Sequence, residues 1–272
     1  MANAAAERLL SGCQQAVVEV CCDSLESASI ALRSGAHRIE LCIALGVGGV
    51  TPTTSFVRAV LLDRDSLGSD SQVGVLIRPR DGDFVYSKRE QQVMCDDIKA
   101  FRQLGVDFVA VGALQEDGGL DLAAMGSMLH EARATHCTEE PRAAMDVVCH
   151  RCVDAAEDYA AAVKAALGAG CCRVLTSGGA ASALEGAAAI SALLAEGGVT
   201  PSQVCAASGI SVDTTPALLL AAPELQQVHG SFRGPVVRGT SHRGVLPGDV
   251  AGLRVCDATC VASMLAIMLP AV

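Results

Sequence analysis

Aromatic residues make up only 3% of this 272-residue chain, and tryptophan is absent. Stacking platforms for nucleobases are thereby excluded as a main mode of binding. A basic excess is missing too: 20 Lys and Arg stand against 30 Asp and Glu, giving a net charge of -10 and a pI near 5.0. Neither a nucleic-acid partner nor an anionic membrane suits that balance, because both need a basic face. No apolar run reaches the roughly 18 residues of a spanning helix, and Met1 to Gln15 lacks the charged start and apolar middle of a secretory signal. The expected location is the cytoplasm, with the nucleus left open as a second. Also missing are a nucleophile elbow, a P-loop, a dinucleotide fingerprint and any Pro-, Gly- or Ser-rich linker that would divide the chain.

What is present is aliphatic. With 51% hydrophobic and 18% charged residues, the chain can bury a large core, and one α/β barrel of this length is as reasonable as two domains. Leu, Val, Ile, Ala and Cys must fill that core. Thirteen cysteines would suggest a disulfide framework in a small secreted chain, but several here sit inside apolar strand-like runs of a large domain. Reduced thiols are expected.

Short β-branched runs alternate with Ala- and Leu-rich amphipathic stretches. The runs predict strands over 17–22, 38–42, 73–78, 108–112, 145–150, 173–177, 203–207 and 226–229. Helices are predicted over 25–33, 55–62, 91–104, 122–134, 158–167, 184–194 and 215–221, and a last helix over 255–268 closes the chain. Eight strand-helix pairs are what a single (β/α)8 TIM-like barrel needs. Residues 1–15 are expected as an N-terminal extension, and 230–253 as an irregular loop after the last strand.

Strand periodicity gives the sharpest inference about chemistry, because alternate side chains point to opposite faces. Val17, Glu19 and Cys21 share one face of the first strand, and Arg38, Glu40 and Cys42 share one face of the second. The outer face must meet apolar helices, so these faces point into the barrel. Buried carboxylates need partners, and Arg78 or Arg151 is the expected one for Glu19 and Glu40. At the C-terminal strand ends, where such barrels keep their sites, Cys21, Cys42, Arg78, Arg80, His150, Ser177 and His229 should gather. The bland alternative is a set of mutually satisfied ion pairs and packed thiols with no chemistry.

Two kinds of site are compatible with these residues. Cys21 and Cys42 are soft ligands that suit Cu(I). Arg78, Arg80 and Arg151 with the loop Ser177-Gly178-Gly179 would instead hold a small phosphate or carboxylate. In that case His150 serves as acid or base, with Asp83 or Asp154 orienting it and Glu19 and Glu40 alongside. Cys149-His150-Arg151-Cys152 is a lone C-x-x-C, read here as core packing around a functional His150, since no second pair completes a zinc site.

The run Ile77-Arg78-Pro79-Arg80-Asp81-Gly82-Asp83-Phe84-Val85-Tyr86-Ser87, with Val18-Glu19-Val20-Cys21, Ile39-Glu40-Leu41-Cys42, His150-Arg151 and Leu175-Thr176-Ser177-Gly178, resembles the CutC copper-homeostasis family. The resemblance runs from about Val17 to His229. It implies a TIM-like barrel, a homo-oligomer and a role in copper tolerance, with Cys21 and Cys42 on the proposed Cu(I)-binding cysteines. It also implies pocket residues at Glu19, Glu40, Arg78, Arg80, His150, Arg151, Asp154 and Ser177. One departure is the family's F-H-R-A-F-D segment, which here reads Cys149-His150-Arg151-Cys152-Val153-Asp154. Three functions follow as expectations: Cu(I) buffering or trafficking, a barrel enzyme for a small anionic metabolite whose effect on copper is indirect, or an interaction scaffold.

Overall fold

The computed structural model describes residues 16–134, 144–238 and 253–269. The expected N-terminal extension, 1–15, and the stretch 239–252 of the expected loop lie outside the described residues. Eight parallel strands close on themselves in sequence order: β1 Val17–Cys22, β2 Arg38–Leu41, β3 Gln72–Leu76, β4 Phe108–Val111, β5 Asp146–Cys149, β6 Arg173–Thr176, β7 Val204–Ala207 and β8 Gln227–Gly230. β8 pairs with β1, so no edge of the barrel is left open. Around it lie α1 Leu25–Arg33, α2 Thr54–Leu67, α3 Lys88–Leu104, α4 Leu122–Arg133, α5 Tyr159–Ala169, α6 Ala187–Ala195, α7 Thr215–Ala221 and α8 Ala258–Met268. The expected (β/α)8 barrel is the observed one. Among the described residues, no helix is long and apolar enough to cross a membrane.

Alternation along each strand divides the core in two. Val18, Val20, Ile39, Leu41, Val73, Val75 and their equivalents face outward into the layer between sheet and helices. Cys21, Cys42, Leu76, Phe108, Val148, Leu175 and Cys205 face inward and fill the lumen. The helices start and stop on local signals. Ser24 caps α1 by accepting from the Ser27 amide at 3.1 Å, and Ser87 and Glu90 form a reciprocal capping box on α3. Gly105 ends α3 in the left-handed region at φ 85°, a conformation that side chains resist.

Two expectations fail at the C-terminal end. The segment expected to be irregular contains β9 Arg233–Arg238, which pairs antiparallel with β10 Leu253–Cys256. The last helix therefore begins at Ala258, not 255, with Asp257 capping it through the amides of Thr259 and Cys260. Inside the barrel, Gly74 lies against the ring of Phe108, and a Cβ there would come within 2.1 Å of it. Gly74→Ala should destabilise the chain by roughly 1–3 kcal/mol through overpacking, read as a lower urea midpoint at an unchanged slope. An unchanged midpoint would show that the lumen is looser than described.

Candidate metal centre

A cavity of about 540 Å³ opens at the C-terminal end of the barrel. At its floor the registry of the first two strands, Cys21 opposite Glu40, brings together residues that are remote in sequence. Cys21 Sγ lies 3.6 Å from Cys42 Sγ and 3.9 Å from Glu40 Oε1. Potential ligand atoms of Cys21, Glu40 and His229 all fall within 4.8 Å of one another. Contact with the Cys42 thiol, burial and the nearby Glu40 push the Cys21 thiol far up, so without a metal it stays protonated. Burial also raises the Glu40 carboxyl, opposed mainly by His229, and its Oε2 has no hydrogen-bond partner.

One layer deeper sits Glu19, fully buried. Its neighbours in register are Arg38 on β2 and His229 on β8. Glu19 Oε2 accepts from Arg38 Nε at 2.6 Å and from Arg173 at 3.0 Å across the lumen, while Oε1 meets His229 Nδ1 at 2.8 Å. Burial alone would raise this carboxyl, but Arg173 and Arg38 outweigh it and hold it well below the usual carboxylate range. His229 is lifted in turn: burial would lower it, yet Glu40 and Glu19 together raise it. The carboxylate fixes the ring, so that Nδ1 carries the proton towards Glu19 and Nε2 is left for the opposite side. The partner expected for Glu19, Arg78 or Arg151, is thus replaced by Arg38 and Arg173, because both of these lie in Glu19's own layer of the lumen.

The remaining predicted residues divide between rim and scaffold. Arg78 lines the cavity, but its guanidinium donates to the carbonyls of Val47, Gly49 and Gly82 at 2.8 to 3.0 Å, clasping two loops. Arg80 turns away after Pro79; it pairs with Glu90 at 2.6 Å and Asp83 at 3.0 Å and donates to the Val85 carbonyl, so neither Arg80 nor Asp83 lines the cavity. Arg151 stands at the mouth and donates to Asp154 and to Ser177 Oγ, both at 2.9 Å. The Ser177 loop already holds an anion of its own. Asp154 accepts from the Ser177 and Gly179 amides, from Thr176 Oγ1 at 2.6 Å and from Ser177 Oγ, while Gly178 donates to Thr176.

His150 is buried at the cavity wall. Its Nδ1 accepts from the Cys152 amide at 3.1 Å, and its Nε2 has no partner. Burial, helped by Arg78 and Arg151 and opposed by Glu40, pushes its pKa down to about 4, so the ring is neutral at pH 7. Sequence reasoning gathered His229 at the strand ends without giving it a role, and it missed the role of Arg173. The signal for Arg173 was there: it is a cation at an inward position, two residues before Leu175.

The family model of the CutC family matches residues 16–234. The chain belongs to the CutC family. A CutC family protein of Agrobacterium fabrum is 35% identical over 255 residues, 93% of this chain and 94% of its own length. Another CutC relative, from Xanthomonas campestris, is 40% identical over 219 residues, 80% of this chain and 84% of its own. The proposed copper homeostasis protein CutC of Streptococcus agalactiae shares the fold at a TM-score of 0.68 and 23% identity, over 80% of this chain and 99% of that one. A proposed deoxyribose-phosphate aldolase from Coccidioides immitis shares the barrel at 0.54 and 13% identity, over 79% and 81% of the two chains.

A histidine held neutral in the fold ties stability to pH. The folded pKa of His150, about 4, lies below its ordinary 6.5, so its contribution is present above 6.5 and is lost as pH falls through 4. Urea unfolding between pH 7.5 and 4 should show wild type losing stability more steeply than His150→Gln across that window. Parallel profiles would mean that His150 titrates normally in the folded chain.

Proposed function

We propose that this CutC-family chain serves copper homeostasis by holding Cu(I) at the barrel floor, on the thiolates of Cys21 and Cys42 with His229 and Glu40 beside them. The observation that carries the reading is the Cys21–Cys42 sulfur separation of 3.6 Å, with Cys21 also grouped with Glu40 and His229 within ligand reach. Two sulfurs about 2.3 Å from one ion in tetrahedral geometry stand roughly 3.8 Å apart, so little movement is needed for both to bind. Thiolates select soft Cu(I) over harder ions. Entry of the ion displaces protons from both thiols, and His229 offers Nε2 because Glu19 holds Nδ1. Bound between two thiolates, Cu(I) carries a net negative charge, which the cations of the floor, Arg38 and Arg173, offset beyond Glu19. The open cavity above gives the ion a path in and out, as buffering or transfer in the cytoplasm requires.

A second reading, a barrel enzyme acting on a small anionic metabolite, draws on the unpartnered His150 Nε2 and on Arg151 at the mouth. It has less support from the other expected anion groups, since Arg80 lies off the cavity and Asp154 fills the Ser177 loop. Titrating the reduced chain with Cu(I) against a strong chelator separates the two. Cys21→Ser combined with Cys42→Ser should remove one tightly held equivalent, a loss of at least about 100-fold in affinity at that site, given two ligands each worth several kcal/mol. Equal copper uptake by wild type and the double variant would overturn the copper reading and turn attention to small carboxylates and phosphates.

A further inference from the structure

On β5 the inward alternation that places Val148 in the lumen carries His150 to the cavity wall, where it is buried and caps the short 3₁₀ turn Arg151–Ala155. Neither the thiol cluster nor the ion cluster around Glu19 includes it. The ring is fixed from several sides. Its Nδ1 accepts from the Cys152 amide at 3.1 Å, the Phe84 ring lies 5.1 Å away between centroids, and Gly112 supplies the room, since a Cβ there would come within 2.5 Å of Cε1. The first of these contacts also decides where the proton of the ring sits. A main-chain amide only donates, so Nδ1 keeps its lone pair and the hydrogen is on Nε2. Nε2–H is a buried donor with no partner among the described residues, and such groups are rare because an unmade bond is costly. Arg151, the next residue, also lines the cavity, with 41% of its side chain exposed. It donates to Asp154 through Nε and to Ser177 through Nη2, and Nη1 takes part in neither bond.

We propose, on the second reading above of a small anionic ligand, that the cavity binds a 2-oxo carboxylate, its oxo oxygen accepting from His150 Nε2 and its carboxylate meeting Arg151 at the mouth. The direction follows from charge. Burying an uncharged oxygen costs less than burying an anion, and the inner donor is an imidazole that burial holds neutral. Glu40, on the floor of the same cavity, acts on that ring and would repel an anionic oxygen beside it. At the mouth the situation is reversed. Arg151 is charged and partly open to water, and its partner Asp154 shares its charge with the Ser177 and Gly179 amides and the Thr176 hydroxyl. Consecutive Cα atoms stand about 3.8 Å apart, so one small molecule meets both side chains. Val47, Leu76 and Leu175 line the same cavity and suit the carbon chain. His150 then works as a fixed donor that polarises the oxo group, and not as a base, because taking up a second proton would break the Cys152 contact.

Titration of the metal-free, reduced full-length chain with pyruvate and 2-oxoglutarate, each beside the analogue that lacks the oxo oxygen, propionate and glutarate, tests this site without involving copper. At least one oxo acid should bind about tenfold or more tightly than its analogue, since the analogue leaves Nε2–H unpaired. His150→Leu should remove that preference. His150→Gln, whose amide accepts from Cys152 and donates to the ligand, should restore most of it, and Arg151→Gln should weaken binding of every acid that binds by about tenfold or more. Oxo acids and analogues that bind alike, with affinities unchanged in His150→Leu, would overturn the His150 contact and leave the anion reading standing. Failure of all four acids to bind would remove both. Should His150→Leu not fold, wild type alone decides: nitrogen NMR of the His150 ring should show the proton on Nε2, and carbon NMR should show the oxo carbon of the bound acid moved downfield. A proton on Nδ1, or an oxo carbon that does not move, would overturn the proposal.

Discussion

A single carboxylate with no access to water, Glu19, is the constraint on which the rest of the barrel interior depends. Its charge is tolerable only because two guanidinium groups and an imidazole converge on it. Each comes from a different strand, so the ion cluster ties β1, β2, β6 and β8 together across the lumen. Arg38 extends the tie by donating to Gln227 at 2.5 Å, and Arg173 lies over the ring of Phe108 at 4.4 Å. The layer above inherits its chemistry from this arrangement. While Glu19 holds Nδ1 of His229, Nε2 is the ring nitrogen left for a further partner.

The rim follows a different logic. Polar residues are abundant there, yet most of their hydrogen-bonding capacity is committed to the loops that carry them. Arg78 clasps backbone carbonyls, Arg80 staples its own loop to the start of α3, and Asp154 fills a nest of amides that would otherwise attract an anion. Such internal satisfaction keeps the mouth in shape. The floor below keeps the protonated Cys21 thiol and the unpaired Glu40 Oε2.

Much of this was legible in the chain because the barrel obeys period two so closely. Glu19, Cys21, Glu40 and Cys42 fall on inward positions, and the first strand and the helices Leu25–Arg33 and Thr215–Ala221 have the bounds that the pattern predicts. Partner choice was not legible. Alternation gives the face of each side chain, but the stagger between strands decides that Glu19 lies level with Arg38 and His229, whereas Arg78 comes well beyond Gln72, the β3 residue in register with Arg38. Direction after Pro79 was equally hidden, since the strand stops at Leu76 and Arg80 swings out to Glu90. The β9–β10 pair escaped notice because its strands lie far apart in the chain, and tertiary contacts, such as the Asp257 amide on the Phe232 carbonyl at 2.9 Å, flank it.

Function in this fold rests on the sites it carries, and the shared barrel decides little about them. The most direct test of the floor as a copper site is anomalous diffraction at the copper edge from crystals of the reduced, Cu(I)-loaded chain. The account predicts a peak between Cys21 Sγ and Cys42 Sγ, within bonding reach of His229 Nε2, with Nδ1 still on Glu19. A floor without copper in loaded crystals, or a His229 ring turned away from Glu19 to bind it, would contradict the account.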